Sequence, residues 1–265
     1  PIPTATHNLT ATADSILLIS LDLTGSAKEW MVEIRDRMAT LFFEAQKYLG
    51  TNLQILFTGH GDIVCDCRDV GEPIQVSPCF GADQVLEDHI HALNTKGIFG
   101  GGNGAESPEV LALYFDEKID LAKAKNVYAM FVTDEPGRNV IKANDAKRYL
   151  DVNMPNDLDT KDIFASLNRK AHVFSIICDT DTNQNPNAQA WWKGMLGEEN
   201  VCLLADKRRV VDLMLNIIAK MTDQEEMFDQ DMKNRQGNTQ YTNVNINTVK
   251  NSVALVGSKL KTPKC

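Results

Sequence analysis

Short apolar runs alternate with segments of helical periodicity along most of this chain. Five runs are bounded by polar residues and have the length of buried strands: residues 16–21, 53–58, 127–133, 173–178 and 201–204. Strands that alternate with helices indicate a mostly parallel sheet with right-handed crossovers and helices on both faces. We therefore predict an α/β, doubly wound fold.

One further apolar run, residues 74–80, departs from this pattern. Only a brief polar connection separates it from the strand at 53–58, which favours an antiparallel pair over a β-α-β unit. We expect residues 74–80 to form an antiparallel edge strand. The central sheet would then contain about six strands.

The helical segments are identified by apolar residues that recur every three or four positions. In the longest, residues 28–49, this stripe begins at Trp30 and ends at Leu49, so one face is expected to pack on the sheet. Ser107 and Pro108 have the residue types of an N-cap and a first helical position. The other predicted helices are residues 83–94, 141–150, 160–168, 188–196 and 210–221.

The character of the sequence changes near its C-terminus. Residues 237–265 contain four lysines and no acidic residue, and residues 241–249 alternate Thr or Asn with Val or Ile. This alternation would fit an added edge strand, but the polar composition favours a mobile tail. We divide the chain into an N-terminal arm (1–14), a domain (15–228) and a polar C-terminal tail or extension (229–265).

Bulk composition excludes several classes of function. The formal net charge of −9 disfavours nucleic acid as a ligand, and no apolar run approaches the roughly 18 residues that a membrane span needs. The start has no secretory-signal pattern, and the six cysteines lack C-x-x-C spacing, so we expect a cytoplasmic protein with reduced thiols.

Polar residues directly after the strands are the candidates for chemistry, because ligands of open parallel sheets bind at the carboxyl ends of the strands. The first strand ends in D-L-T-G-S, in which Asp22, Thr24 and Ser26 are two residues apart and can direct oxygen atoms to one point. Oxygen ligands without His or Cys suit Mg²⁺ or Mn²⁺ better than Zn²⁺. Asp134 ends a later strand, and Asp179 and Asp181 follow another.

Three motifs, in order, resemble the von Willebrand factor A domain family. D-L-T-G-S at 22–26 resembles the D-x-[ST]-x-S signature of that family's metal-ion-dependent adhesion site (MIDAS). F-V-T-D at 131–134 is similar to a later family strand that ends in aspartate, and G-G-G-N-G-A-E-S-P-E at 100–109 resembles its glycine-rich loop and following helix. The resemblance covers roughly residues 15–228.

The resemblance implies a set of metal-site residues. Thr24 and Ser26 would bind the ion directly, while Asp22 and Asp134 would hold it mainly through waters. Where the family has threonine or often aspartate, this chain has Asn103, so the fourth ligand is either Asn103 or Glu106. Mg²⁺ is the expected ion, with Mn²⁺ and Ca²⁺ as alternatives.

A cation held in this way would retain an open coordination position, which an Asp or Glu of a partner protein could fill. The sequence therefore predicts a metal-dependent protein-binding module without catalytic residues. Family resemblance further suggests a subunit of a larger intracellular assembly, with an AAA+ ATPase as one candidate partner.

Two other functions remain open from the sequence. D-L-T-G-S is also similar to the D-x-x-G-T loop of haloacid-dehalogenase-like phosphatases, in which the aspartate, here Asp22, is the nucleophile. Those enzymes normally have an acid two residues later, where this chain has Thr24. The third possibility is a structural subunit with a vestigial metal site.

Overall fold

The computed structural model describes residues 4–66, 72–93, 104–178, 185–204, 206–237 and 240–257, with only the backbone described at 28–29 and 240–245. Ten strands lie within these ranges: β1 (Leu9–Thr10), β2 (Ser15–Asp22), β3 (Leu53–His60), β4 (Ile74–Val76), β5 (Ile119–Asp120), β6 (Asn126–Thr133), β7 (Val140–Ile141), β8 (Leu158–Asp159), β9 (His172–Ile177) and β10 (Val201–Leu203).

The same ranges contain ten α-helices: α1 (Lys28–Asp36), α2 (Met38–Leu49), α3 (Val85–Ala92), α4 (Pro108–Glu117), α5 (Ala143–Leu150), α6 (Thr160–Lys170), α7 (Pro186–Leu196), α8 (Val210–Met221), α9 (Glu225–Gln236) and α10 (Gln240–Ser252). Short 3-10 turns lie at Gly25–Ala27, Glu198–Asn200 and Lys207–Arg209.

Six strands form the central sheet in the order β10-β9-β6-β2-β3-β4. Every neighbouring pair is parallel except β3 and β4, which are antiparallel. This arrangement confirms the doubly wound fold and the antiparallel edge strand, although that strand is shorter than residues 74–80. The chain runs from β2 to β3 and later returns to β6 on the other side of β2. This reversal creates the crevice at which such sheets bind ligands.

Helices cover both faces of the sheet, and β2 shows how the sequence separates the two cores. Its odd-numbered apolar residues, such as Leu17, belong to the core beneath α1, α2 and α8, whereas Ile16 and Leu18 belong to the core beneath α4, α6 and α7. This follows from the two-residue alternation of a strand. Ser20 and Asp22 continue the even-numbered stripe and are fully buried.

The predicted helix at 28–49 is bent into α1 and α2 at Arg37, whose backbone leaves the helical region with φ −113° and ψ 18°. The hydrogen bonding continues through the bend, because the Arg37 amide donates to Glu33 O and Leu41 N donates to Arg37 O. The Arg37 side chain pairs with the fully buried Asp212 of α8 at 2.5 Å. Periodicity could not reveal this tertiary ion pair.

The prediction of a mobile or strand-forming tail is wrong for the described part of residues 237–265, which forms α10. Ile246, Val249, Val253 and Val256 are buried in the same core as α8. Their spacing of three and four residues is helical, and burial on α8 and α9 outweighs the weak helix propensity of Asn and Thr. Lys250 of α10 also pairs with the side chain of Asp229 at 2.8 Å.

The N-terminal segment also packs against the domain, since β1 pairs in parallel with β5, and Ala11 and Ala13 are buried. In the described part of the chain, no helix combines the length and apolarity needed to cross a membrane.

We expect Ile246→Ala to lower the free energy of unfolding by roughly 2–5 kcal/mol, because it leaves a cavity between α10 and the core. Chemical denaturation measures the change. Leu255→Ala is the matched control, since Leu255 is 49% exposed and Ile246 only 5%. Equal stability of the two variants would show that α10 is not packed as described.

Candidate metal site

The carboxylate of Asp22 lies at the carboxyl end of β2 and is completely buried. Thr24 donates to Asp22 Oδ1 twice, from its amide at 2.8 Å and from its hydroxyl at 2.6 Å. The loop after β2 therefore folds back on the strand that it leaves. Gly25 opens the 3-10 turn that continues into α1.

The neighbouring strand β6 brings the second carboxylate to this loop. Because Leu21 is paired with Val132, Asp22 lies beside Thr133, whose hydroxyl donates to Asp22 Oδ2 at 3.2 Å. Asp134 follows Thr133 directly, and its Oδ1 accepts a hydrogen bond from Ser26 Oγ at 3.1 Å.

Four predicted site residues thus form one connected cluster. The Thr24 and Ser26 hydroxyl oxygens are 3.2 Å apart, and they link Asp22 on one side to Asp134 on the other. We call these four residues the strand-end cluster. It combines two carboxylates and two hydroxyls, which are the donors that hard divalent cations accept.

The electrostatics of the cluster fit a cation. Burial, and then the charge of Asp134, raise the pKa of Asp22 to about 7, and burial raises the pKa of Asp134 as well. Among the described residues neither carboxylate forms an ion pair, although Lys207 lies close enough to lower the pKa of Asp134 in part. A bound divalent ion would offset both the repulsion between the two carboxylates and the cost of removing their charges from water.

Of the two candidates for a fourth ligand, Asn103 lies outside the described residues, as do Asp179 and Asp181. Glu106 is described, and its Oε2 is buried without a hydrogen-bond partner. Burial and then the charge of Asp22 raise the pKa of Glu106 to about 10. Glu106 therefore adds a third buried carboxyl group close to the strand-end cluster.

Arg138 ties together the loops around Glu106. One guanidinium nitrogen donates to Asp62 Oδ1 at 2.5 Å, and the other donates to Ser107 Oγ and to Glu106 O, both at 2.8 Å. Ser107 precedes α4, but its hydroxyl does not cap that helix. Arg138 could not be identified from the sequence, because nothing in its local sequence indicates that it meets Asp62.

Residues of α7 hold the loop that follows β6. Asn185, the N-cap of α7, donates to Asp134 O at 3.2 Å and to Glu135 Oε2 at 2.8 Å, while Trp192 Nε1 donates to Glu135 O at 3.1 Å. The backbone that carries Asp134 is thereby held by two residues of α7, its N-cap and Trp192. These contacts position the carboxylate without touching it.

His60, which could have reached the site from β3, is turned into the interior. Its Nδ1 lies 2.9 Å from Ser20 Oγ, and burial lowers its pKa to about 3, so the ring is neutral. The described residues also contain no group of three His, Cys, Asp or Glu side chains arranged to hold a metal. Any ion at the strand-end cluster would therefore depend on the hydroxyls of Thr24 and Ser26.

The raised carboxyl pKa values predict a pH dependence in chelator. The folded-state pKa of Asp22, about 7, exceeds the ordinary value of 3.8, so the folded chain binds this proton more tightly than the unfolded chain does. The resulting stability is present below pH 4 and is lost as the pH rises through 7. Thermal unfolding in EDTA should show Tm falling over this range, and Mg²⁺ should reduce the fall. A Tm that is independent of pH would contradict the burial of these charges.

Sequence comparison identified no relative: no family model matches the chain, and the search of curated proteins also found no match.

Structural comparison does identify similar folds. The pilus adhesin SpaC from Lactobacillus rhamnosus GG matches 82% of this chain with a TM-score of 0.52 at 11% identity. Proximal thread matrix protein 1 (PTMP1) from the mussel byssus, solved with zinc in its MIDAS motif, matches 84% of the chain with a TM-score of 0.52 at 9% identity. A von Willebrand factor type A protein from Catenulispora acidiphila matches 83% with a TM-score of 0.46 at 14% identity.

The matched region spans 31% of SpaC and 47% of PTMP1, so this chain corresponds to less than half of either protein. PTMP1 was solved with a zinc-occupied MIDAS motif, and D-L-T-G-S at 22–26 resembles the signature of that type of motif. The chain has the fold of a von Willebrand factor A domain.

Proposed function

We propose that this chain is a metal-ion-dependent protein-binding module whose ion is held at the strand-end cluster. The supporting observation is that the Thr24 hydroxyl donates to Asp22, the Ser26 hydroxyl donates to Asp134, and the two hydroxyl oxygens lie 3.2 Å apart at the crevice of the sheet. The zinc-occupied MIDAS motif of PTMP1 supports metal binding by a similar fold.

In this proposal Thr24 and Ser26 bind the ion through their hydroxyl oxygens. Asp22 acts mainly through its charge and through intervening water, because both of its oxygens already accept hydrogen bonds from Thr24 and Thr133. Asp134 provides the second charge, and Asn103 or Glu106 completes the protein ligands. The bound cation supplies a Lewis-acidic position that a partner's Asp or Glu can occupy.

Hard oxygen ligands favour Mg²⁺ or Mn²⁺, with Ca²⁺ as an alternative. The proposed partner is a protein that presents a carboxylate, and the adhesin SpaC lends support to such a role. An AAA+ ATPase is not part of the proposal, because neither the adhesin SpaC nor the byssus protein PTMP1 supports such a partner. A cytoplasmic location remains a prediction from the sequence.

The geometry gives less support to the phosphatase alternative. A nucleophilic aspartate must meet its substrate, whereas Asp22 is completely buried and both of its oxygens accept hydrogen bonds. A vestigial site would not need the hydroxyls to stay aligned between the carboxylates.

Metal binding is tested by titrating the chain with Mn²⁺ and measuring free Mn²⁺ by electron paramagnetic resonance. We expect Asp22→Asn and Ser26→Ala each to weaken binding about 10–100-fold, because each removes part of a small donor set. Ser166→Ala is the control, since Ser166 is another hydroxyl, on α6 and bonded to Arg169. Competition with Zn²⁺ and Ca²⁺ ranks the ions. Unchanged Mn²⁺ binding by the Asp22→Asn variant would show that the strand-end cluster does not hold the ion.

Bridging to a carboxylate is tested with immobilised peptide libraries that differ only in Glu or Gln at one position. Binding should require both Mn²⁺ and Glu, and EDTA should abolish it, because the ion forms the contact. Retention of full affinity in EDTA would exclude a metal bridge.

The enzymatic alternative has its own test. We expect no Mg²⁺-dependent hydrolysis of p-nitrophenyl phosphate above background, because Asp22 is inaccessible. Turnover that is present in the wild type and lost in the Asp22→Asn variant would show that the protein is a phosphatase, which would overturn the proposed binding function.

A further inference from the structure

A surface groove lies between the α1–α2 bend and the start of α3, away from the strand-end cluster. Its volume is about 470 Å³, and the residues that line it include Asp36, Met38, Phe42, Phe43, Asp83 and Glu87. None of these residues belongs to the strand-end cluster. The groove is therefore a feature separate from the proposed metal site.

The floor and one wall of the groove are apolar. Met38 and Phe42 are buried, whereas Phe43 is 56% exposed, and its ring packs edge-on against Phe42, with ring centroids 5.4 Å apart. An aromatic ring left in water beside a cleft is typical of an anchor for a protein partner.

Two further exposed apolar side chains flank the groove. Val32 is 44% exposed and precedes Arg35 and Asp36 by three and four residues, which places it on the same face of α1. Val85 is 47% exposed and follows Gln84 at the first position of α3. The apolar surface thus continues beyond the groove on both helices.

The rim of the groove is acidic. Asp36, Asp83 and Glu87 form no ion pair among the described residues. Arg35, the one cation among the described residues that line the groove, donates to the carbonyl oxygen of Leu93 at 3.2 Å. Three carboxylates against one guanidinium leave a net negative charge around an apolar floor.

We propose that this groove binds a basic amphipathic helix of a partner protein, which inserts an apolar side chain beside Phe43 and places Lys or Arg side chains against Asp36, Asp83 and Glu87. Burial of the apolar side chain provides affinity, and the acidic rim selects the charge of the partner. A second copy of this chain fits poorly, because its net charge is −9 and its groove carries the same acidic rim.

The probe for the test is a synthetic helix with Leu at i, i+3, i+4 and i+7 and Lys elsewhere, and its control replaces every Lys with Glu. Binding to the full chain is followed by fluorescence anisotropy at two salt concentrations and in EDTA. We expect the Lys helix to bind at least 10-fold more tightly than the Glu helix, to weaken as salt rises, and to be unaffected by EDTA.

Two variants of groove residues and one matched control test whether the Lys helix binds in the groove. Phe43→Ser should weaken binding of the Lys helix at least 10-fold, whereas Leu255→Ser, which also changes an exposed apolar residue, should leave it unchanged. Asp83→Asn combined with Glu87→Gln should weaken binding and reduce its salt dependence. Asn suits position 83, where the backbone has φ 51°.

Three outcomes would overturn the proposal. They are equal binding of the Lys and Glu helices, equal effects of Phe43→Ser and Leu255→Ser, or concentration-dependent self-association in analytical ultracentrifugation that Phe43→Ser abolishes. The last result would assign the groove to a second copy. Because the measurement in EDTA does not involve the ion, failure here leaves the proposed metal site untouched.

Discussion

The buried carboxylate of Asp22 is the constraint on which the arrangement of this edge of the sheet depends. An ionised group without solvent is destabilising by several kcal/mol unless it is paired or hydrogen-bonded, and a second carboxylate, Asp134, lies within the same cluster. Hydrogen bonds from Thr24 and Thr133 satisfy the oxygen atoms of Asp22 but do not neutralise the charge. This imbalance supports the proposal of a cation at the strand-end cluster.

The position of the cluster depends on parallel pairing at the centre of the sheet. The register that sets Leu21 opposite Val132 brings the ends of β2 and β6 level, so residues more than a hundred positions apart in sequence share one set of hydrogen bonds. Arg138 and Asn185 then fix the surrounding loops through contacts to other chain segments. A rigid edge of this kind can hold a cation in a fixed position for a partner's carboxylate.

The two proposed binding surfaces use different physical interactions. At the strand-end cluster a metal ion would bridge to an acidic partner group, whereas the groove beside Phe43 combines apolar burial with an acidic rim. Helix α1 connects them, because it begins after the D-L-T-G-S loop and ends at the bend that borders the groove. The bend is stabilised by the pairing of Arg37 with Asp212, a contact that also joins α1 and α2 to α8.

The sequence by itself determined the fold class, the antiparallel edge strand and the residues of the strand-end cluster. Alternating strand and helix periods specify a doubly wound sheet, and a strand that ends in D-L-T-G-S presents its oxygen atoms locally. Only the tertiary structure decided that residues 240–252 form a packed helix, that the helix at 28–49 bends at Arg37, and that Arg138 meets Asp62. The reason is that periodicity records which face of a segment is apolar, whereas these features depend on what that face meets in the folded chain.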